Sequence, residues 1–277
     1  QFEADAINIE HNFSQKMQFE RNSDYPQDTL PPLDPKRFGL PTIHECVKIR
    51  SSVFQNAEIQ IADNVLVKTG DAEPQIAYWI KRTIRKAIYG RVAHAVELRR
   101  VVNPVLSDDD SPLQWEVTGE ECAVKEMDIE EIRRGIETKK SENPMQELGA
   151  MEHIRRHFLS RNESANMEST GIVLAKEVLR DETYVYSIMP FCDGLELYDH
   201  LFAAENSKFS EEESRHWMQQ IVQALGNLHS AGVCHRDISF ENILTDKSGR
   251  AYIIDMGMSL LIPFDDDTHE RRRRLIQ

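Results

Sequence analysis

Three oxygen-bearing side chains in the last fifth of the chain have types and spacings suited to phosphoryl transfer. Asp237 and Asn242 lie five residues apart in the segment VCHRDISFENIL, and Asp255 follows in the segment IIDMG. Phosphoryl transfer depends more on positioning and charge neutralisation than on covalent chemistry. A carboxylate can orient or deprotonate an acceptor hydroxyl, while an amide and a second carboxylate can bind Mg²⁺, which prefers oxygen ligands. The pattern therefore predicts a metal-assisted phosphoryl-transfer site.

Short apolar runs border these side chains and predict the elements that hold them. A turn at residues 246–249 separates two apolar runs and predicts a hairpin across which Asp255 faces Asn242. Ser210 and Glu213 form a capping-box pattern, which predicts a helix from 211 to 229 that ends just before the first segment. The sequence thus predicts one loop and one hairpin, backed by a helix.

Upstream, an apolar Cys-Ala-Val run ends in Lys125. A lysine at the end of an apolar strand usually extends its ammonium group into solvent, so this motif alone predicts little. Helical spacing places Glu147 on the apolar face of a predicted helix that begins near residue 144. Glu147 is the expected partner of Lys125. Glu152 is the competing candidate, but Arg156 lies four residues after it.

In this order the segments resemble the motifs of the eukaryotic protein kinase family, from about residue 80 to the end of the chain. The resemblance implies an α+β, two-lobe fold with a β-rich N-lobe and the start of a helical C-lobe. The expected boundaries are a partly disordered N-terminal extension at 1–75, an N-lobe at 76–189, a hinge at 190–194 and an incomplete C-lobe at 195–277.

The resemblance also implies a role for each residue named above. Lys125, fixed by Glu147, would hold the α- and β-phosphates of ATP. Asn242 and Asp255 would bind Mg²⁺, and Asp237 would orient the substrate hydroxyl. The implied cofactors are therefore ATP and Mg²⁺.

The implied ATP-binding residues come from the N-lobe, the hinge and the first C-lobe strand. They are Gly90, Val92, Ala123, Lys125, Met189, Pro190, Cys192, Glu196 and Leu244. In the hinge, the Pro190 carbonyl and the Cys192 N–H would meet adenine, Met189 would be the gatekeeper and Glu196 would meet the ribose. Proline lacks only a donor that this pattern does not use.

The Gly-rich loop of the family is degraded in this sequence. Its frame falls on Arg85, Ala87, Gly90 and Val92, so only the last glycine and the valine survive. Glycines let backbone N–H groups approach phosphates closely, and the loss of two of them weakens that cradle.

Other departures concern acceptor type and regulation. Ser239 replaces the lysine of serine/threonine kinases, although serine or threonine remains the favoured acceptor. Met256 replaces the usual phenylalanine with another apolar residue. The retained Arg236 implies activation by an upstream kinase acting on the following segment, which contains Thr268. The Ala-Pro-Glu element and later helices are absent, so we expect a fragment with an exposed apolar face on the 211–229 helix and with poor or no activity.

Composition and charge limit the classes of binding partner and the cellular location that we expect. The formal net charge of −14 and the pI near 5.2 disfavour nucleic-acid binding through a basic surface. The sequence contains no apolar run of the length that a membrane span needs. Four scattered cysteines without a C-x-x-C pair predict reduced thiols and a cytoplasmic or nuclear location.

In residues 1–75, breaker-rich segments predict a loose arm. Residues 57–67 alternate weakly, which predicts a short hairpin that adds strands to the edge of the following domain.

The expected function is a protein kinase that transfers the ATP γ-phosphate to a serine or threonine hydroxyl of a protein substrate. Two alternatives stay open. A pseudokinase that binds nucleotide or acts as a scaffold is favoured by the missing glycines. A small-molecule phosphotransferase of related fold shares the Asp–Asn–Asp layout.

Overall fold

The structure, a computed structural model, describes a defined set of residues within the unit Pro35–Gln277. These are residues 38, 41–49, 53–54, 64–69, 75–101, 114–137, 144–161, 164–262, 264–265 and 270–271. The predicted loose arm, the first part of the 57–67 hairpin and Thr268 lie outside them. All four cysteines lie within them and are free thiols.

Eight strands form the main sheet. They are β1 (Ile43–Ile49), β2 (Val53–Phe54), β3 (Val65–Lys68), β4 (Ile76–Ala87), β5 (Gly90–Arg100), β6 (Gln114–Asp128), β7 (Glu177–Arg180) and β8 (Tyr184–Pro190). Their order is β2-β6-β5-β4-β3-β1-β7-β8, and β6 also pairs with β8. The seven strands from β6 round to β8 therefore close into a barrel. Within this ring β1 runs parallel to β7, and every other pairing is antiparallel.

Every strand of the ring contributes to the core inside the barrel. Because side chains alternate between the two faces of a strand, each strand turns every second residue inward. The buried cluster consists of Cys46, Leu66, Tyr78, Ile80, Ala93, Ala95, Cys122, Val124, Leu179, Tyr186 and Ile188. These residues form one buried cluster, so the barrel packs as a single unit.

The boundary predicted at residue 75 is wrong, because β1 and β3 belong to this barrel. They lie between β4 and β7, two strands that would otherwise present unpaired backbone at the edges of an open sheet. The prediction that residues near 60 add strands to the edge of the domain is also corrected, since β3 pairs on both sides. Weak alternation over a few residues cannot indicate which distant strand will be the partner.

The described helices are α1 (Ile129–Glu137), α2 (Pro144–Ser160), α3 (Met167–Thr170), α4 (Leu197–Ala203) and α5 (Glu211–Ser230). Two of them, α2 and α5, were predicted from the sequence. The predicted capping box opens α5, with the Ser210 side chain accepting from the Glu213 N–H and the Glu213 carboxylate accepting from the Ser210 N–H. None of the helices in the described part of the chain is long and apolar enough to cross a membrane.

Helix α5 has one buried and one exposed apolar face. Ile221, Ala224 and Leu228 are buried in the core that joins the lobes, whereas Met218 and Val222 are 50% and 59% exposed. The expected exposed apolar face is therefore present.

Short strands complete the described C-lobe. They are β9 (Val233–Cys234), β10 (Ile243–Thr245), β11 (Ala251–Ile253), β12 (Leu260–Leu261), β13 (Phe264–Asp265) and β14 (Glu270–Arg271). Strand β10 pairs with β11, β9 with β12 and β13 with β14. The β10–β11 pair is the predicted hairpin. Asn242 directly precedes its first strand, and Asp255 follows its second strand.

Candidate active site

The predicted ion pair between Lys125 and Glu147 is present. Lys125 Nζ lies 2.8 Å from Oε1 and 2.6 Å from Oε2 of Glu147. The two side chains are only 16% and 8% exposed. The competitor Glu152 instead binds Arg155 and Arg156, its neighbours on the same helix. The pair joins β6 to α2 and keeps an ammonium group at the cleft wall.

The catalytic loop is held by backbone contacts. The imidazole of His235, which is 2% exposed, lies 2.9 Å from the Ile254 carbonyl and ties the loop to the strand that precedes Asp255. Arg236 and Asp255 have φ values of 71° and 64°. Non-glycine residues in this left-handed region cost of order 1–3 kcal/mol and tend to cluster at functional sites. Both strained residues were singled out from the sequence, Arg236 as a catalytic and regulatory candidate and Asp255 as a metal ligand.

Asn242 contacts Asp237 through its side chain and the residue before Asp255 through its backbone. Its Nδ2 donates to the Asp237 carbonyl at 2.9 Å and to Asp237 Oδ2 at 3.0 Å. The backbone carbonyl oxygen of Asn242 accepts from the Ile254 N–H at 3.0 Å. The β10–β11 hairpin thus brings the backbone of Asn242 next to the residue that precedes Asp255.

The donor set fits Mg²⁺. Because Asn242 uses its amide nitrogen toward Asp237, its Oδ1 is the atom available to a cation. Asp255 accepts from the Gly257 N–H through Oδ1 at 3.0 Å, which orients its carboxylate. Within the described ranges no three His, Cys, Asp or Glu residues cluster around a common point. Two oxygen ligands suit Mg²⁺, which usually takes one or two protein ligands and completes its shell with water and substrate phosphates.

The predicted adenine-contacting residues line the outer face of the barrel. Ala123 and Met189 are register partners on β6 and β8, and Val92 pairs with Lys125. All four alternate with inward-facing core residues, so they face the cleft. Leu244 on β10 belongs to the same apolar cluster as Met189. Strand β10 thus meets the outer face of the barrel at Met189.

The hairpin in the position of the Gly-rich loop is docked rather than open. Gly90 has a φ of 154°, and a Cβ there would lie 2.1 Å from the Glu126 carbonyl oxygen. Tyr89 at the turn is only 3% exposed. A Cβ at Gly135 in α1 would lie 2.5 Å from the Tyr89 ring. Tyr89 is a residue that sequence reasoning missed, since an aromatic residue at a turn gives no signal of its docking partner.

Glu196 has a partner that the sequence did not indicate. Its Oε1 accepts from Nη1 of Arg85 at 2.5 Å, and Arg85 occupies the first glycine position of the degraded loop. The side chains are 60% exposed for Arg85 and 25% for Glu196. Glu196, the predicted ribose contact, is therefore bound by Arg85 of the β4–β5 hairpin in this structure.

The thiol of Cys192, in the predicted hinge, is buried and hydrogen-bonded. The Cys192 thiol donates to the Thr245 carbonyl at 2.9 Å, and the residue is 8% exposed. Burial raises the pKa of Cys192 to about 12. Its thiol is therefore structural, while Pro190 ends β8 and extends toward the same hinge.

The structure describes only part of the segment that follows Asp255. Met256, in the position of the usual phenylalanine, is fully buried in the core shared with α2. Gln146 of α2 donates to the Ser259 carbonyl. Arg236 is exposed at the start of the loop.

Comparison with known proteins identifies the family of this site. The model of the protein kinase domain matches residues 115–271, more than half of the chain. The matched range holds the predicted lysine, both predicted metal ligands and the catalytic loop.

Curated relatives include plant and animal kinases. CBL-interacting protein kinase 31 of Oryza sativa subsp. japonica is 27% identical over 66% of this chain and 34% of its own length. CBL-interacting serine/threonine-protein kinase 9 of Arabidopsis thaliana is 30% identical over 52% of this chain and 28% of its own. NUAK family SNF1-like kinase 1 of Mus musculus is 28% identical over 68% and 23%, respectively. The chain thus spans about a third or less of these relatives.

Proposed function

Because the chain belongs to the protein kinase domain family, we propose that it transfers the γ-phosphoryl group of ATP to a serine or threonine hydroxyl of a protein substrate. The observation that carries this proposal is the buried Lys125–Glu147 pair, together with the Asp237–Asn242 contact and the hairpin that pairs Asn242 with the residue before Asp255. Together they offer a cation for phosphates, oxygen ligands for a metal and a carboxylate for the acceptor.

Each residue has a distinct task in this reaction. Lys125 neutralises charge on the non-transferred phosphates, and Glu147 holds the ammonium group at the cleft wall. Bound Mg²⁺ would supply further charge neutralisation, with Asn242 and Asp255 as its protein ligands. Asp237, kept in place by the Asn242 amide, orients the acceptor hydroxyl and receives its proton.

Serine or threonine is the proposed acceptor because relatives from Arabidopsis thaliana carry serine/threonine-protein kinase in their names. Arg236, exposed beside Asp237, supports regulation by an upstream kinase that phosphorylates the segment after Asp255. Four free thiols, three of them buried, support a reducing compartment, the cytoplasm or nucleus.

The direct test is phosphate transfer from γ-labelled Mg·ATP by the full-length gene product. The acceptors are peptide libraries with serine, threonine or tyrosine as the single hydroxyl, beside a small alcohol such as glycerol. Asp237→Asn is the matched control, because it keeps the size of the side chain and an acceptor for Asn242. We expect label on serine or threonine and a loss of about 10²–10⁴-fold in the control.

A pseudokinase is the second candidate, because Arg85 and Ala87 occupy two glycine positions and Arg85 binds Glu196. Nucleotide binding without transfer to any acceptor would overturn the kinase proposal in its favour. Label on glycerol alone would favour a small-molecule phosphotransferase.

A further inference from the structure

A buried carboxylate closes one end of the barrel interior. Glu126 on β6 is 4% exposed, although it carries a charge that water would otherwise stabilise. Its Oε1 accepts from Lys48 Nζ at 2.9 Å, and its Oε2 accepts from Arg91 Nε at 2.7 Å. A buried carboxylate is tolerated only with such partners. The three side chains come from β6, β1 and β5.

Lys48 is itself held inside the barrel. Its side chain is 23% exposed, and its Nζ lies 5.8 Å from the ring centroids of both Tyr184 and Tyr186 on β8. Ammonium groups over aromatic faces gain further electrostatic stabilisation. Lys48 therefore connects β1, which precedes the family match at residue 115, to both β6 and β8.

The carboxylate lies directly behind the nucleotide-facing residues. Glu126 follows Lys125, and because side chains alternate along a strand, one faces the barrel interior and the other the cleft. On β5, Arg91 lies between Gly90 and Val92, and a Cβ at Gly90 would meet the Glu126 carbonyl oxygen. One charge cluster thus fixes the two strand segments that supply the phosphate-facing and adenine-facing groups.

We propose that Lys48 is a positioning residue for the nucleotide, acting through Glu126 on Lys125 and, with Arg91, on Gly90 and Val92. Strand β1 then contributes to nucleotide positioning through Lys48. This inference rests on the proposed kinase function for its catalytic consequence. Its structural consequence is that Lys48 on β1 orders the neighbouring segments of β5 and β6. That consequence does not depend on the kinase function.

The test compares three variants of the full-length gene product. Lys48→Met removes the charge, and Lys48→Arg retains it. Glu45→Gln is the matched control on the same strand, since Glu45 pairs with Arg180 of β7 at 3.1 Å on the outside of the barrel. The readouts are the Kd of Mg·ATP, the KM for ATP and for a peptide, kcat, and hydrogen exchange of residues 122–128.

Lys48→Met is expected to raise the Kd and KM for ATP about tenfold while the KM for peptide stays within about twofold. Exchange at residues 122–128 should rise, Lys48→Arg should restore most of the affinity, and Glu45→Gln should behave as the parent protein. Unchanged ATP affinity and unchanged exchange in a folded Lys48→Met protein would overturn the inference.

Two further arms separate the ways in which the test can fail. If Lys48→Met does not fold, Lys48→Met/Glu126→Gln removes the uncompensated charge. Weak ATP binding by that folded double variant supports the inference, and parent-like binding overturns it. If the parent protein binds no nucleotide, the proposed function fails, and the exchange data alone decide whether Lys48 orders β6.

Discussion

Charged groups of the barrel lobe bind partners far away in the sequence, whereas those of the catalytic loop bind close neighbours. Lys125 binds Glu147 across 22 positions, and Glu126 binds Lys48 across 78. In the catalytic loop, Asn242 binds Asp237 across five positions. The carboxylates of the first group are buried, while Asp237 is exposed.

Because of this difference, substitutions in the two regions should affect stability and activity differently. In the barrel lobe, a lost charge leaves its buried partner without compensation, so a substitution there should weaken both folding and activity. In the catalytic loop, solvent can replace the contacts of Asp237, so a substitution there should affect activity alone. The predictions below test this division.

The largest effect is expected at Lys125. Lys125→Met leaves the Glu147 carboxylate buried, so unfolding free energy should fall by about 3–5 kcal/mol. Asp237→Asn should change it by less than about 1 kcal/mol, since the side chain is exposed. Urea denaturation of both variants is the measurement. Lys125→Met/Glu147→Gln should recover much of the stability without activity, and equal losses in the two single variants would contradict the division.

Alkaline pH should unfold the protein mainly through its barrel. Burial raises the pKa of Cys46 to about 12, of Cys122 to about 11 and of Cys192 to about 12. The unfolded thiols ionise near pH 9 while the folded ones keep their protons. Stability is therefore full below pH 9 and falls as pH rises toward 11–12, by roughly 2–4 kcal/mol between pH 9 and 10.

The measurement is the urea midpoint as a function of pH. Cys46→Ala/Cys122→Ala should remove most of the thiol-linked slope above pH 9, and Cys192→Ala a smaller part. A larger flattening by Cys192→Ala would place the alkaline sensitivity at the hinge instead.

A steric test isolates the close approach of β5 to β6. Gly90→Ala should cost about 1–3 kcal/mol more than Gly119→Ala. Both glycines have positive φ values, but a Cβ at Gly90 meets the Glu126 carbonyl oxygen, and a Cβ at Gly119 meets nothing within 4 Å. The difference between the two variants in urea denaturation therefore reports the clash. Equal costs would mean that β5 can shift away from β6 without penalty.

The smallest effect is expected for the exposed pair at the mouth of the cleft. Arg85→Gln frees the Glu196 carboxylate for the ribose, so the KM for ATP should fall by up to about fivefold, since exposed ion pairs are worth about 1 kcal/mol or less. The effect should disappear at high salt. Lys247→Gln is the control, because Lys247 pairs with Asp193 instead. A raised KM would mean that Arg85 assists nucleotide binding.

The catalytic loop was predictable because its contacts are local. The spacing of Asn242 and Asp255 already implied a hairpin between them, and the β10–β11 pairing forms it. Asp237 binds Asn242 five positions away. The Lys125–Glu147 pair was also predictable, because helical periodicity left Glu147 on the face that packs inward. The family resemblance supplied the order of the motifs.

The barrel closure was not predictable from pattern. Strand β1 was not predicted, and strand β3 showed only weak alternation, because alternation records which face is buried and not which strand is the partner. The docking of Tyr89 against Gly135 and the capture of Glu196 by Arg85 depend on elements brought together by the same folding.

The sequence by itself determined the kinase motifs, the helix that backs them and the chemistry of the catalytic loop, since turns, caps and hairpins bring together residues that are near in sequence. Only the tertiary structure decided that β1 and β3 complete the barrel lobe and that Lys48 and Arg91 neutralise Glu126. The physical reason is that a charge can be buried only where the fold delivers its partners, and those partners lie 35 and 78 residues away.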